Sequence, residues 1–235
     1  MFGNRIKKLP HDAFIKRLPS LVIGAQMLHP GNPYLLDLAI QKMPKEGVVL
    51  EIGSYGGLST NLISYLLDKH GCNNKLFTCD PWVYEGFEDY LGTKSDRIDG
   101  RSDVLRTDFM NHLKNSFKEV TKLLSGHRLP HSFQLMSDEL FGIWGSGTSV
   151  TDVFGFEVTP VGKISLAFID GDHAYEQAKK DYLNVRRHLL PGGLILFDDS
   201  GAGMPFGSAK LMKEVLKDPQ ARVLDKNPNY LIQFV

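Results

Sequence analysis

The sequence contains little cysteine and no excess of charge. Its 235 residues include only two cysteines, Cys72 and Cys79, and the second lies in an apolar stretch typical of a strand. So few cysteines argue against a disulfide scaffold and against a zinc site built from thiolates. Lysine and arginine together number 27, as do aspartate and glutamate. A net charge of zero gives no electrostatic footprint for nucleic acid, so no nucleic-acid partner is expected.

Long hydrophobic runs are also missing. A membrane helix needs roughly 18 consecutive apolar residues, and the sequence has no stretch of that length. Residues 21–28 are interrupted by Gly24 and Gln26, and they are too few and too far from the start for a signal peptide. The sequence therefore predicts a cytoplasmic protein with no membrane partner.

The length suits one α/β domain preceded by a short helical segment. Five prolines divide residues 1–46 into short pieces, of which residues 34–43 have the clearest helical pattern. We expect an N-terminal helical apron there, which serves either as a lid on the substrate side or as packing. The domain itself is expected over residues 47–235, with insertions at about 81–131 and 140–162.

Acidic residues follow two apolar stretches in the same way. Residues 164–169 and 194–197 are short and apolar, as buried strands of a parallel sheet are, and a helical pattern begins soon after the first of them. The ionisable side chains that follow these stretches are Asp170, Asp172, His173, Asp198 and Asp199. Ligands of open α/β sheets bind outside the carboxyl ends of the strands, so we expect these five groups to converge at one edge.

A glycine-rich turn follows the first predicted strand, residues 47–52. Glycines between a strand and a helix let a ligand approach the backbone closely. A dinucleotide site needs the pattern G-x-G-x-x-G, in which the second glycine admits the pyrophosphate, but Tyr55 occupies that position here. The turn therefore suits a nucleoside ligand without a pyrophosphate. Its candidate contacts are Glu51, Gly53, Ser54, Tyr55 and Gly57.

Two polar residues are expected to complete a nucleoside site. Asp80 ends the second predicted strand, residues 75–79, where a carboxylate can accept hydrogen bonds from both ribose hydroxyls. Taken alone, such an aspartate is more often a cap or turn residue. The glycine turn at a matching distance favours the ribose role. Ser137, at the tip of a third strand predicted at residues 132–136, is expected on the adenine side.

The remaining segments predict a lid and a terminal hairpin. Residues 81–103 mix aromatic side chains with a polar, glycine-containing stretch, which favours a mobile lid over the ligand. A helix is expected at about residues 104–124. Residues 140–162 are rich in glycine, serine and threonine and form either a loop or a small hairpin. Residues 221–224 and 230–235 are expected to pair as an antiparallel hairpin on the sheet edge.

Four motifs together resemble those of the class I S-adenosylmethionine-dependent methyltransferases. They are E-I-G-S-Y-G-G at 51–57, D-P-W at 80–82, F-I-D-G-D-H-A-Y-E at 168–176 and L-L-P-G-G-L-I-L-F-D-D at 189–199. Within that class they are similar to the branch that contains the macrocin and novobiocin O-methyltransferases, over roughly residues 47–199. The resemblance implies a Rossmann-like fold, with a seven-stranded, mostly parallel sheet, a C-terminal antiparallel hairpin and helices on both faces.

The resemblance also implies the activity and the roles of the acidic residues. S-adenosylmethionine is the implied cofactor, and Asp170 counts among its contacts. The resemblance implies that Asp170, Asp198 and Asp199 hold a divalent metal, usually magnesium. The base falls on His173 or on Asp172. The expected reaction is transfer of a methyl group to a hydroxyl of a small polar acceptor, such as a sugar or a glycosylated metabolite.

Physical arguments bear on the metal and on the alternatives. Crowded carboxylates repel one another, so a compensating cation is expected, and magnesium prefers hard oxygen ligands. In the plainer interpretation, the aspartates cap helices and His173 is a surface residue, which leaves a metal-independent methyltransferase. A non-catalytic nucleoside-binding protein fits the fold but would not need both carboxylate pairs, and a dehydrogenase fits the fold but not the glycine spacing. The sequence leaves the oligomeric state open, a homo-oligomer included.

Overall fold

Strands and helices alternate along the chain, as the sequence pattern predicts. The computed structural model describes residues 6–9, 12–83 and 105–235. The helices are α1 (Ala13–Arg17), α2 (Asn32–Lys42), α3 (Leu58–Lys69), α4 (Arg106–Ser125), α5 (Ser137–Ile143), α6 (Tyr175–His188) and α7 (Gly207–Val215). The strands are β1 (Val48–Ile52), β2 (Leu76–Cys79), β3 (His131–Phe133), β4 (Val150–Thr151), β5 (Glu157–Val158), β6 (Ile164–Ile169), β7 (Leu189–Phe197), β8 (Ala221–Lys226) and β9 (Tyr230–Phe234).

Seven strands form one sheet in the order β3, β2, β1, β6, β7, β9 and β8. The first five run parallel to one another, whereas β9 is antiparallel to both of its neighbours. The predicted seven-stranded, mostly parallel sheet with a C-terminal antiparallel hairpin is confirmed. Strands β4 and β5 pair separately as a small antiparallel hairpin.

Consecutive residues of the central strands face two different cores. Leu166 and Leu194 belong to a core formed with α2 and α3. Ala167 and Ile195 belong to a core formed with α5, α6 and α7 on the opposite face. Because helices cover both faces, the central strands are apolar along their whole length. This arrangement confirms the Rossmann-like prediction of helices on both sides of the sheet.

The segment predicted as an apron shares the first of these cores. Helix α2 buries Leu35, Leu36, Ala39 and Ile40 against the sheet and α3, and Leu18 from a preceding turn is also buried there. The described residues before β1 therefore pack as part of the domain. Of the two roles considered for the apron, packing is the one that these contacts support.

The two predicted insertions contain regular structure. Helix α4 connects β2 to β3 as a crossover helix, close to the helix predicted at 104–124. Residues 84–104 lie outside the described part of the chain, so the predicted lid at 81–103 stays a prediction. In the second insertion, residues 140–162, the β4–β5 hairpin resolves the choice between a loop and a hairpin in favour of the hairpin.

Two predicted element boundaries were wrong. The third strand stops at Phe133, because Met136 caps helix α5: its backbone N–H donates to the Glu139 carboxylate at 2.8 Å. Ser137 is therefore the first residue of a helix. Strand β7 begins at Leu189, earlier than the predicted residue 194. Its Pro-Gly-Gly stretch forms an irregularity in the pairing with β6, with Gly192 at a φ of 74°.

Two further findings concern the cysteines and the helices. Cys79 is buried in β2 and Cys72 is partly exposed, and both thiols are free. In the described ranges, no helix combines the length and the hydrophobicity that crossing a membrane requires. The cytoplasmic location stays a prediction.

The shared core leads to a test of the N-terminal segment. Leu36→Ala should lower the free energy of unfolding by about 2–5 kcal/mol, because it removes a fully buried side chain. Leu21, which is 49% exposed, provides the control: Leu21→Ala should change it by less than about 0.5 kcal/mol. Urea unfolding followed by circular dichroism and by tryptophan fluorescence should give one coincident transition. A separate early transition of the N-terminal segment would contradict a shared core.

Candidate active site

The carboxyl ends of the four central strands lie side by side at one edge of the sheet. The backbone N–H groups of Gly53, Asp170 and Asp198 each donate to the carbonyl of the last residue of a neighbouring strand, at 2.9, 2.8 and 2.9 Å. The ladder thus continues one residue beyond the strands. It places the glycine turn and both acidic motifs in a row, as the sequence predicts.

The turn after β1 depends on glycine at two positions. Gly53 has a φ of 90°, and a Cβ there would lie 1.9 Å from the carbonyl oxygen of Asp170. Gly57 has a φ of 91°, and a Cβ there would lie 2.8 Å from the ring of Phe117. Only glycine fits such close approaches with a positive φ. Tyr55 also has a positive φ, of 44°, although it carries a large side chain.

The N-terminal segment covers this turn. A Cβ on Gly24 would lie 2.2 Å from the ring of Tyr55, and a Cβ on Gly56 would lie 2.1 Å from the carbonyl oxygen of Ile23. Both distances are shorter than any Cβ contact allows, so Gly24 packs directly on the Tyr55 ring and Gly56 packs directly on the backbone of Ile23. The segment before α2 therefore packs directly on the candidate cofactor turn.

Glu51 is a fully buried acid beneath the turn. Its Oε2 accepts hydrogen bonds from the hydroxyls of Thr60 and Ser54, the second at 3.5 Å. Among the described residues, its Oε1 has no hydrogen-bond partner. Burial raises the pKa of Glu51 to about 7. A positively charged group placed at this turn would favour the ionised carboxylate, so the site suits an ammonium group.

Asp80 holds the turn from the end of β2. Its carboxylate accepts hydrogen bonds from the backbone N–H groups of Ser54, Tyr55 and Trp82, at 3.0, 2.7 and 2.7 Å. Burial raises its pKa, although these three donors favour the charged form. These contacts are the turn role that the sequence left open as an alternative. The ribose role stays a prediction.

Trp82 joins the two turns a second time. Its indole N–H donates to the carbonyl oxygen of Tyr55 at 2.9 Å, and its ring packs on Phe117 with centroids 5.1 Å apart. Trp82 has a φ of 48°, a backbone conformation that residues other than glycine rarely adopt. The turns after β1 and β2 are thus locked together by hydrogen bonds from backbone and side chains.

Ser137 is tied to a buried acid that sequence reasoning missed. Its hydroxyl donates to Asp181 Oδ1 at 2.6 Å, and the Gln177 amide donates to the same oxygen at 3.1 Å. Asp181 is 1% exposed, and burial raises its pKa to about 6. The signal was present in the sequence, because position 181 falls on the apolar face of α6 between Ala178 and Tyr182.

The second acidic motif surrounds an imidazole. His173 Nε2 lies 3.7 Å from Asp170 Oδ1 and 3.6 Å from Asp199 Oδ2, and Nδ1 lies 3.4 Å from the hydroxyl of Ser208. Asp172 instead accepts a hydrogen bond from the Ala174 backbone N–H at 2.8 Å and is exposed. The structure therefore brings His173 to the cluster and engages Asp172 in the turn before α6.

Asp198 is buried and held by two amides from distant parts of the chain. The Asn32 side chain donates to its Oδ1 at 2.7 Å, and the Asn229 side chain donates to the same oxygen. Asn229 also donates to Asn32 Oδ1 at 2.9 Å and accepts from the Ser200 backbone N–H at 3.1 Å. Neither asparagine was a predicted site residue, because no local pattern marks a contact across 166 or 31 positions of sequence.

Burial and charge repulsion act together on two carboxylates of this cluster. Burial, followed by the nearby Asp198, raises the pKa of Asp170 and that of Asp199. Asp199 has a φ of 48°. Several crowded oxygen ligands fit the chemistry of a hard cation such as magnesium. As the side chains stand, however, no group of three or more histidine, cysteine, aspartate or glutamate residues in the described ranges is arranged to hold a metal ion. The metal stays a prediction.

The buried Glu51 leads to a pH dependence of stability. The pKa of Glu51 rises from its ordinary value of 4.5 to about 7 on folding. The folded protein therefore holds this proton longer than the unfolded chain, and the protein loses stability as pH rises from 4.5 through 7. Glu51→Gln should remove up to about 3 kcal/mol of this loss.

Urea unfolding of the cofactor-free protein at pH 5 and pH 8 measures the effect. The matched control is Glu176→Gln, at an exposed position of α6, which should keep the wild-type difference between the two pH values. An unchanged difference in Glu51→Gln would show that Glu51 is ionised throughout.

Comparisons with known proteins agree with this geometry. Three similar solved structures are the SAH-bound methyltransferase PaMTH1 of Podospora anserina, an O-methyltransferase of Bacillus cereus in complex with SAH, and the calicheamicin methyltransferase CalS11. They are 14%, 14% and 17% identical to this chain, with TM-scores of 0.57, 0.54 and 0.55. The alignments cover 98%, 97% and 97% of this chain and 91%, 93% and 86% of those chains. At these identities the likeness concerns the fold.

The sequence comparisons decide the family. No curated protein sequence matches the chain. The sequence profile of a methyltransferase domain family matches residues 50–200, which include the glycine turn and both acidic motifs. This match covers well over half of the chain. The parallel strands of the sheet and the candidate site residues lie within the matched range or directly beside it. The chain therefore belongs to the methyltransferase domain family, with the class I fold that its motifs predict.

Proposed function

We propose that this protein is an S-adenosylmethionine-dependent O-methyltransferase that acts on a hydroxyl of a small polar acceptor. The observation that carries the proposal is the position of His173, whose Nε2 faces Asp170 and Asp199 at the edge that also holds the glycine turn. An imidazole beside two carboxylates can accept a proton and remain stabilised as a cation. The site thus places a candidate base at the same edge as a turn that suits a nucleoside.

The cofactor would bind along the turns after β1, β2 and β3. Glu51, with its unpartnered oxygen, would face the ammonium group of the amino acid end. Gly53, Ser54, Tyr55 and Gly57 would supply the backbone surface of the turn on which the cofactor lies. In this proposal Asp80 contacts the ribose, Ser137 lies on the adenine side and Asp170 also contacts the cofactor. The SAH complexes described for two structural neighbours support this choice of ligand.

The residues of this chain would then have to remove one proton from the acceptor hydroxyl. S-adenosylmethionine, when bound, supplies an activated methyl group on a sulfonium. The acceptor hydroxyl would lose its proton to His173 Nε2 as the new carbon–oxygen bond forms and the carbon–sulfur bond breaks. Asp170 and Asp199 would stabilise the resulting imidazolium. Asp172 is the alternative base, but its carboxylate is engaged with the Ala174 backbone N–H.

Magnesium assistance is the finer part of the proposal. Asp170, Asp198 and Asp199 would hold the ion, which would make an acceptor hydroxyl easier to deprotonate. The raised pKa values of Asp170 and Asp199 support it, because burial and then the nearby Asp198 disfavour their charged forms, which a cation would stabilise. A metal-independent methyltransferase is the competing form. There the same aspartates would serve as caps and cofactor contacts.

A sugar hydroxyl is the acceptor that we propose. One structural neighbour, CalS11, is described as a TDP-rhamnose 3'-O-methyltransferase. The partly exposed polar groups around His173 suit a ligand with several hydroxyls, since carboxylates and imidazole are good hydrogen-bond partners for them. Sugars and phenols, incubated with S-adenosylmethionine and analysed by mass spectrometry, would identify the acceptor. SAH binding without methyl transfer to any acceptor would favour the non-catalytic nucleoside-binding alternative.

The base can be tested by substitution. His173→Ala should lower turnover by roughly 10²–10⁴-fold, the usual size of a general-base contribution, while Asp172→Asn should have a smaller effect. His112→Ala, at an exposed position of α4, is the control and should retain wild-type turnover. Calorimetry should show unchanged SAH affinity in all three variants. A larger loss in Asp172→Asn than in His173→Ala would identify Asp172 as the base.

The metal can be tested with and without turnover. Magnesium should raise the melting temperature of the wild-type protein and should not raise that of Asp199→Asn, because a ligand that binds the folded state stabilises it. EDTA should abolish turnover while leaving SAH affinity nearly intact, since the ion would orient the acceptor. Full turnover in excess EDTA, with no thermal shift by magnesium, would establish the metal-independent form.

A further inference from the structure

A cavity opens beside the acidic cluster of Asp170, Asp198 and Asp199. It has a volume of about 240 Å³ and lies between helix α7 and the loop of residues 200–206 that follows Asp199. Phe206 forms part of its wall, and the ring of Phe206 also packs on His173, with centroids 5.5 Å apart. One aromatic side chain therefore separates this cavity from the candidate base. A ligand held in the cavity would extend toward His173.

The charge of this cavity is opposite to that of the neighbouring cluster. Its lining includes Lys210 and Lys213 and, among the described residues, no aspartate or glutamate. Met204, Pro205 and Leu216 make much of the remaining wall apolar. Both lysines are exposed, so they give the mouth of the cavity a positive charge that attracts an anion.

The contacts of Lys210 leave its charge largely uncompensated. Its Nζ lies 4.0 Å from the ring centroid of Tyr175, a cation–π contact that positions the ammonium without neutralising it. Glu214 interacts electrostatically with Lys210, but it is shared: its carboxylate accepts from the Tyr175 hydroxyl at 2.5 Å and from Lys179 Nζ at 2.9 Å. Lys210 therefore keeps positive charge for a ligand in the cavity.

We propose that this cavity binds a phosphate group of the methyl acceptor, so that the acceptor is a phosphorylated compound whose hydroxyl reaches His173 past Phe206. The inference rests on the proposed function, since it assigns the substrate class of the same site. Lysines act as point charges toward phosphate, and two of them match the charge of a phosphate monoester or diphosphate.

Binding of defined anions tests the proposal without turnover. Glucose 1-phosphate, inorganic pyrophosphate, glucuronate and glucose are titrated calorimetrically into the SAH complex of the full chain, in EDTA to prevent metal chelation. The two phosphates should bind, and glucose and glucuronate should bind at least tenfold more weakly. Lys210→Met and Lys213→Met should each weaken phosphate binding by roughly tenfold, as expected when a hydrogen bond to a charged group is lost. Lys217→Met, just beyond α7 and outside the cavity, is the matched control and should bind like the wild type.

The outcomes separate this inference from the proposed function. Failure of the wild-type protein to bind SAH would refute the proposed function. SAH binding without phosphate binding would overturn only the phosphate site. Equal weakening in Lys217→Met would show general attraction to surface charge and would also overturn it. Glucuronate binding as tightly as glucose 1-phosphate would assign the cavity to carboxylates instead. SAH affinity within twofold of wild type in each variant confirms that the fold is intact.

Discussion

The carboxylate of Asp198 depends on two amides that come from opposite ends of the chain. Asn32 begins α2, Asn229 lies in the turn between β8 and β9, and both donate to the same buried oxygen. A buried carboxylate without such donors would cost several kcal/mol, roughly the penalty of an unpaired buried charge. The same two amides also hydrogen-bond to each other. The N-terminal segment, the C-terminal hairpin and β7 are therefore held in one arrangement at the edge where the candidate site lies.

This constraint explains why the site is built from elements that lie far apart in sequence. The backbone ladder brings the ends of β1, β2, β6 and β7 together, and side chains then fix what the ladder leaves free. Asp80 organises the glycine turn through three backbone N–H groups, and Asp181 anchors the start of α5 through Ser137. Several buried acids thus have structural partners at a site whose function needs charge. Some of the carboxylates that hold these segments in place are therefore also candidate site residues.

The sequence predicted most of the fold because local patterns report on it. Apolar runs marked the strands, and an acid or a glycine turn after each run marked the edge where ligands bind. It did not predict α5, although Asp138 and Glu139 in its first turn are typical of a helix start. Nor did it predict that β7 passes through Pro191 and two glycines. Pairing with β6 decides that boundary, and local propensity cannot reveal it.

The candidate site was predicted less completely than the fold. Asp170, Asp198, Asp199 and His173 lie at one edge of the sheet, whereas Asp172 is engaged with its own turn. Asn32 and Asn229, which donate to Asp198, and Asp181, which accepts from Ser137, were missed, because these contacts form only when distant segments pack. Residue types and spacing indicate which groups reach an edge of the sheet. They do not indicate how each carboxylate is satisfied, and that detail separates His173, which faces the cluster, from Asp172, which faces its own turn.

The positive φ angles of Tyr55, Trp82 and Asp199 limit how this protein can become more heat-resistant. Each such residue costs of order 1–3 kcal/mol, and all three stand at the candidate site. Glycine would relax the backbone at any of these positions. It would also remove an aromatic ring at the candidate cofactor turn or a carboxylate of the acidic cluster. Stabilising substitutions are therefore available in the helices and on the surface. In the turns around the site, the contacts of the present side chains leave little room for substitution.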